Sequence, residues 1–326
     1  MLIETADVIK RAGRILILPH IFLDGDALGS SLALSMALKS KSGCEVVICT
    51  EEPISFNYAF LPETGLIKQY PLHIGADDSS SGHFDLVITL DTGDIDRLGK
   101  RIDYFKKCPL TLNIDHHPTN TLFAGYNTVM PERSAVGEII FELIHLLDIE
   151  ITKDMAECLY VAIATDTGGF RFSNTTSLSH IIISELLKTG INVADISFRI
   201  FDNMTLKKTI AMGKAVESLE MYFGGAFALM MVDCPADASE EDYDGIVNIG
   251  RNIEGVEVAA MIRQKQDKGE IKVNLRSKEY IDVAAIASKF SGGGHIRASG
   301  FTVFGDAADV KGKLMEAVKE QLRHKI

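Results

Sequence analysis

Short, mainly apolar runs at Ile15–Leu18, Leu86–Leu90 and Leu110–Ile114 are the first regularity along the chain. They lack the strict alternation of half-exposed strands and predict strands covered on both faces, as in a parallel sheet. Glu45–Cys49 reads as another strand. Apolar positions at helical spacing predict helices over Ala27–Lys39, Val136–Leu147, Asp154–Ala164 and Ser177–Lys188, the last capped between Asn174 and Ser177. Met1 to Arg14 reads as an amphipathic helix carrying both charge signs. Residues 51–82 are irregular and end in a serine-rich polar loop, Asp77–Gly82. Strand–helix alternation over residues 1–190 predicts an α/β domain on a doubly wound parallel sheet.

The pattern then changes. Gly190 to Asn203 reads as a connector and Thr205–Glu220 as a helix. Strands follow in quick succession at Ala226–Val232, Val256–Gln264, Glu270–Arg276 and Gly300–Phe304, with helices over Val283–Phe290 and Val310–Leu322. A smaller mixed α+β domain is expected over residues 209–326, joined by a linker over 191–208.

The predicted parallel strands end on ionisable residues. Ile15–Leu18 leads into His20, Asp24 and Asp26; Leu86–Leu90 into Asp91; Leu110–Ile114 into Asp115, His116 and His117. Asp166 lies in the turn Thr165–Phe170. Ligand groups in parallel sheets gather beyond the carboxyl ends of the strands. An aspartate at a strand end often only caps a helix or shapes a turn, and a single histidine is commonly structural. Coincidence favours a shared site: His20, Asp24, Asp26, Asp91, His116 and Asp166 all fall at strand ends or adjacent turns. Two divalent cations ~3.5–4 Å apart need a bridging carboxylate and flanking donors of mixed nitrogen and oxygen type. Asp91, alone at its strand end, suits the bridge. Water shared by two cations ionises near neutral pH, supplying a nucleophile without serine or cysteine. His117 is expected to face the substrate, stabilising phosphate charge or protonating the leaving oxygen, with Asp115 orienting a neighbouring imidazole. Gly25 and Gly29 are expected to free the turn and let a ligand approach closely.

Ser291–Gly300 is the informative stretch of the second half. Gly292, Gly293 and Gly294 can expose backbone N–H groups to a phosphate, with His295 and Arg297 adding donors. No Gly-Lys-Ser/Thr follows, so it is not a Walker loop, and it is not a dinucleotide fingerprint. Arg276, at a strand end, is expected to reach the same anion; Arg263 and Arg171 are weaker candidates.

Composition narrows the partners. The net charge of −12 argues against gripping long nucleic acid through many phosphates, so a nucleic-acid substrate is expected to be short. No apolar run reaches the ~18–20 residues that span a bilayer. Five cysteines without CxxC spacing read as thiols in a reducing cytoplasm, not a disulfide frame.

Taken together, the chain resembles the DHH phosphoesterase superfamily. Asp115–His117 matches its naming motif, His20, Asp24 and Asp26 its opening motif, Asp91 its second and Asp166 its fourth. The Gly-Gly-Gly-His stretch matches the family's associated C-terminal domain, so the resemblance covers nearly the whole chain. It implies two manganese ions, one held by His20, Asp24 and Asp91, the other by Asp26, Asp91, His116 and Asp166, although zinc binds such donors more tightly and supply decides. Within the superfamily the layout is similar to the nano-RNases, which release mononucleotides from very short RNAs and dephosphorylate 3'-phosphoadenosine 5'-phosphate. The resemblance places the active site in a cleft between the domains, with the glycine loop and Arg276 binding the nucleotide end. The sequence leaves the oligomeric state open, a homodimer through the N-terminal domain included. Alternatives are cleavage of cyclic or linear dinucleotides, a pyrophosphatase- or exopolyphosphatase-like hydrolase, and a nucleotide-binding module without turnover.

Overall fold

A computed structural model describes residues 1–41, 43–72, 84–235, 239, 241–265 and 269–323. The polar loop Asp77–Gly82 lies outside the described residues. The chain divides into two compact units, Met1–Asn203 and Met204–Ile326.

The first unit is built on six parallel strands: β1 (Arg14–Pro19), β2 (Glu45–Thr50), β3 (Lys68–Gln69), β4 (Leu86–Leu90), β5 (Thr111–Asp115) and β6 (Tyr126–Val129). Their spatial order is β3-β2-β1-β4-β5-β6, with Leu16 of β1 in register with Val47 on one side and Val87 on the other. Chain direction across the sheet therefore reverses between β1 and β4, where a doubly wound sheet leaves its ligand crevice. The apolar runs are continuous because both faces are covered. Ile15 and Ile17 pack in the core with α2 (Gly25–Ser40), α4 (Val136–Leu146) and α5 (Lys153–Asp166), after α1 (Leu2–Lys10) and before α6 (Ser177–Leu187). Leu16 and Leu18 face the other way, against Leu98 and Phe105, the latter in α3 (Ile102–Lys107).

Three expectations change here. Gly25 and Gly29 lie inside α2 and serve helix packing, not ligand approach: a Cβ on Gly29 would lie 2.3 Å from the Cys158 carbonyl oxygen of α5. The connector Gly190–Asn203 contains α7 (Val193–Ser197), capped by Asn192, and a π-helical turn, Phe198–Asp202. Strand β6 and helix α3 went unrecognised, being four and six residues long and without a clear apolar period.

The second unit starts with α8 (Leu206–Glu217), which ends before Glu220 enters β7 (Glu220–Tyr222). It continues with β8 (Phe227–Cys234), α9 (Val247–Arg251), β9 (Val258–Lys265), β10 (Glu270–Ser277), α10 (Val283–Ser288), β11 (Gly293–His295), β12 (Ala298–Phe304) and α11 (Ala307–Arg323). The sheet order is β11-β12-β10-β9-β8-β7, antiparallel except for the β8–β9 pair. In β10 the buried Ile271, Val273 and Leu275 alternate with half-buried residues and join the core shared with α10 and α11. Met230 and Met261 build a second core on the opposite face, with Ala211 and Ala215 of α8. No helix among the described residues is long and apolar enough to cross a membrane.

Candidate metal centre

The end of β1 delivers His20, which is nearly fully buried. Its Nδ1 lies 2.6 Å from the Ile21 carbonyl. A carbonyl can only accept, so Nδ1 carries the hydrogen and the other ring nitrogen faces the centre, as in metal-ligating histidines. That Nε2 is 3.4 Å from Asp24 Oδ2 and 3.3 Å from Asp91 Oδ2. Asp24 divides its labour. Oδ1 caps α2 by accepting from the Ala27 N–H at 3.0 Å, while Oδ2 faces His20.

Asp26, in the first turn of α2, is fully buried beneath the start of α4. It accepts from the N–H groups of Val136 at 2.6 Å and Gly137 at 2.9 Å, and from the Ser30 hydroxyl at 2.9 Å. His116, beyond β5, has Nδ1 3.1 Å from the Arg133 carbonyl, which fixes its tautomer as in His20. Its Nε2 lies 3.6 Å from Asp91, 3.5 Å from Asp166 and 4.0 Å from Asp26. Asp166 is the last residue of α5 and not, as expected, part of the following turn.

Asp91 links the two sides. Its backbone is left-handed, with φ 56°, and its N–H donates to the Ile114 carbonyl. One carboxylate oxygen faces His20; the other, Oδ1, is buried, accepts no hydrogen bond, and lies 3.6 Å from His116 Nε2 and 3.5 Å from His117 Nδ1. An unmatched buried acceptor is costly, and a cation removes that cost. Three groups have atoms close enough to hold an ion: His20, Asp24 and Asp91; Asp26, His116 and Asp166; and Asp91, His116 and His117. Asp91 is common to the first and last. The donor set is hard oxygen with imidazole, which suits divalent first-row cations.

The electrostatics point the same way. Burial disfavours the His20 imidazolium, yet the hydrogen bonds and charges of Asp24 and Asp91 outweigh it and raise its pKa to about 10. His116 is likewise raised to about 9, against burial, by Asp26, Asp91 and Asp166. Burial pushes the Asp166 carboxyl up to about 7 and raises Asp26 as well, with nearby carboxylates adding to both. Positive charge is what this cluster lacks.

Asp115 and His117 form an adjoining pair, His117 Nδ1 lying 2.7 Å from Asp115 Oδ1. Against the effect of burial, His117 and Asn120 hold the Asp115 carboxyl below its ordinary value, while Asp115 and Asp91 raise His117. Asn120 was not foreseen. It lies in a polar turn after β5 and donates to Asp115 Oδ2 at 2.6 Å and Asn113 Oδ1 at 2.9 Å. Arg97 was also missed: against burial, and after His20 and the Ala27 N–H, its charge helps hold Asp24 low. Neither residue sits at a strand end, the one signal the sequence offered.

The remaining candidates belong to the second unit. Gly293 and Gly294 are not a free loop; they pair with Gly300 and Ser299 of β12. Glycine is needed for close backbone approach, since a Cβ on Gly292 would lie 2.4 Å from the Gly300 carbonyl oxygen and one on Gly294 2.6 Å from that of Ala298. Arg297 turns its guanidinium to the protein's own carbonyls, Ile281 at 2.6 Å and Glu279. Arg276 and His295 both pair in register with Ala298, from opposite sides, which sets them two strands apart in one lane of the sheet. Burial pushes the Arg276 guanidinium pKa down, against the nearby charge of Asp244. The weaker candidates are occupied too: Arg263 lies over the Tyr243 ring, and Arg171 donates to the Gly168 carbonyl.

A doubly wound sheet that gathers buried carboxylates and imidazoles beyond its strand ends fits a metal-dependent hydrolase. Residues 14–163 match the DHH family, N-terminal domain, and residues 224–324 match the DHHA1 domain. The chain belongs to the DHH family of phosphoesterases. It is 33% identical over 321 residues to the bifunctional oligoribonuclease and PAP phosphatase NrnA of Thermus thermophilus, covering 97% of this chain and 93% of that one. The protein of the same name from Bacillus subtilis is 27% identical, covering 89% and 90%. Among solved structures, an exopolyphosphatase-related protein from Bacteroides fragilis superposes with a TM-score of 0.88 at 27% identity, covering 98% of this chain and 95% of that one.

Proposed function

We propose that this protein is a two-cation phosphoesterase that releases mononucleotides from very short RNAs and dephosphorylates 3'-phosphoadenosine 5'-phosphate. The observation that carries it is Asp91: a buried carboxylate between two histidine–carboxylate groups, with one oxygen that accepts no hydrogen bond. In this reading His20, Asp24 and Asp91 hold one cation, and Asp26, Asp91, His116 and Asp166 the other, manganese being the expected metal. Divalent cations at such a site supply Lewis-acid stabilisation of phosphoryl oxygens and lower the pKa of water. The protein's own contribution is position and protons. Hydrogen bonds from His20 and His116 to backbone carbonyls direct their free nitrogens inward. His117, held by Asp115 and raised in pKa, keeps a proton to deliver to the leaving oxygen. Arg276, His295 and the β11 edge at Gly293 and Gly294 supply donors for the nucleotide, while the Gly292 N–H is engaged by the Ala287 carbonyl and Arg297 by the Ile281 and Glu279 carbonyls. Residues 1–190 carry the metal chemistry and 209–326 recognise substrate. The net charge of −12 fits a short substrate held at few points.

The test compares product release by the manganese-loaded protein from a labelled RNA dinucleotide, 3'-phosphoadenosine 5'-phosphate, a cyclic dinucleotide and pyrophosphate. Mononucleotide release from the first and phosphate release from the second are expected. Preference for the cyclic dinucleotide or pyrophosphate overturns the substrate assignment, and no turnover of any of the four overturns the enzyme reading.

A further inference from the structure

Asp26, His116 and Asp166 are tied to the same short stretch of backbone. The turn 133–137 gives Asp26 the N–H groups of Val136 and Gly137 and offers His116 the Arg133 carbonyl. Asn174 closes the third connection, its amide nitrogen donating to the Ser134 carbonyl and to the Asp166 carbonyl, each at 3.1 Å. The turn itself is held from inside the protein. Glu138, fully buried, accepts from the Ser134 N–H at 3.2 Å, from the Ser134 hydroxyl, and from the Ser179 hydroxyl of α6 at 2.6 Å. Ser179 is fixed in turn by a capping box with Thr176. A buried carboxylate matched by three donors has little freedom to move, because each lost bond leaves charge without a partner.

The other group is anchored elsewhere. His20 bonds to the Ile21 carbonyl, Asp24 to the Ala27 N–H, and the Asp91 N–H to the Ile114 carbonyl. The Ile21 N–H donates to the Arg97 carbonyl. None of these bonds passes through residues 133–138.

We propose that Glu138 and Asn174, which touch no ligand atom, are positioning residues for one cation locus only. Through the turn 133–137 they set Asp26, His116 and Asp166 as one rigid group, and leave His20, Asp24 and Asp91 to separate anchors. The proposal rests on the two-cation reading and adds that the two loci are separable. Groups that orient metal ligands typically change affinity about 10–100-fold when altered.

The experiment is a Mn2+ titration of the chelated, full-length protein, with free Mn2+ read by electron paramagnetic resonance. Glu138→Gln keeps the volume but turns an amide toward one of three donors. Asn174→Ala removes an exposed side chain, so its folding is secure even if Glu138→Gln is not tolerated. Asp24→Asn, at the other locus, marks which binding class is which. Wild type is expected to bind two Mn2+ ions. Both positioning variants should keep the class that Asp24→Asn weakens and lose about 10–100-fold in the other. Equal weakening of both classes, or unchanged affinities in Asn174→Ala, overturns the proposal while leaving the two-cation reading intact. A wild-type protein that takes up no Mn2+ overturns that reading and the proposal with it.

Discussion

Single side chains here carry two duties at once. Asp24 is a helix cap through one oxygen and faces His20 through the other, so capping a helix and facing the cluster are not alternatives for a strand-end aspartate. Asp91 is the more exposed to test, because its backbone is left-handed, a region that asparagine enters far more readily than alanine. Asp91→Asn should therefore keep the fold while replacing the carboxylate proposed to bridge two cations by a neutral amide. Turnover is expected to fall at least ~1000-fold, about 4 kcal/mol of barrier, with an unchanged circular dichroism spectrum. Activity within tenfold of wild type would remove Asp91 from the centre. Five of the six candidate ligands were legible because they lie at or just beyond a strand end, whereas Asp166 closes helix α5. Asn120, Asn174 and Glu138 were not, because only folding brings them to residues five to more than a hundred positions away: Asn120 to Asp115, Asn174 to Asp166 and Ser134, and the turn beside Glu138 to Asp26.

Helices α2 and α5 place the carboxylates relative to one another. α2 begins with Asp24 and Asp26, α5 ends on Asp166, and the two helices pack side by side. Gly29 sets their separation, since nothing larger fits against the Cys158 carbonyl. Gly29→Ala should cost ~1–3 kcal/mol in urea unfolding, by overpacking, and also weaken Mn2+ uptake. Wild-type stability would mean that α5 yields without strain. The main elements followed from apolar period alone, to within a few residues at their ends. The short pieces did not: β6 gains its strand geometry from pairing with β5, not from its own Tyr-Asn-Thr-Val composition. Consecutive glycines at Gly292–Gly294 predict a phosphate cradle, and pairing with β12 makes Gly293 and Gly294 part of a sheet edge as well. Glycine's freedom and glycine's small size leave the same mark on a sequence.

At the scale of the whole molecule, a cation-free protein must balance the carboxylate cluster with protons. His20 is raised from 6.5 to about 10 and His116 from 6.5 to about 9, so the folded state binds more protons than the unfolded chain between these limits. Stability from these imidazoles is complete below about pH 6.5 and is lost as pH rises through 9 to 10. Asp166, raised from 3.8 to about 7, lowers stability in the same direction over the more acid interval. In excess chelator the urea midpoint should therefore fall steadily from pH 6.5 to pH 10. Mn2+ should flatten the fall, since cation and proton compete for the same atoms. A flat profile in chelator would mean that the histidines are neutral without metal.

The sequence by itself determined the main strands and helices of both halves, the six candidate ligands, the neighbouring Asp115 and His117, and the family. It could do so because apolar period and strand-end chemistry are local properties, written in residues close along the chain. Only the tertiary structure decided the distances among these side chains, that Asp91 Oδ1 accepts no hydrogen bond, that Arg297 serves its own backbone, and that Glu138 underpins the turn 133–137. Those facts depend on distances between segments, and no spacing in the sequence encodes a distance until the sheet has brought the segments together.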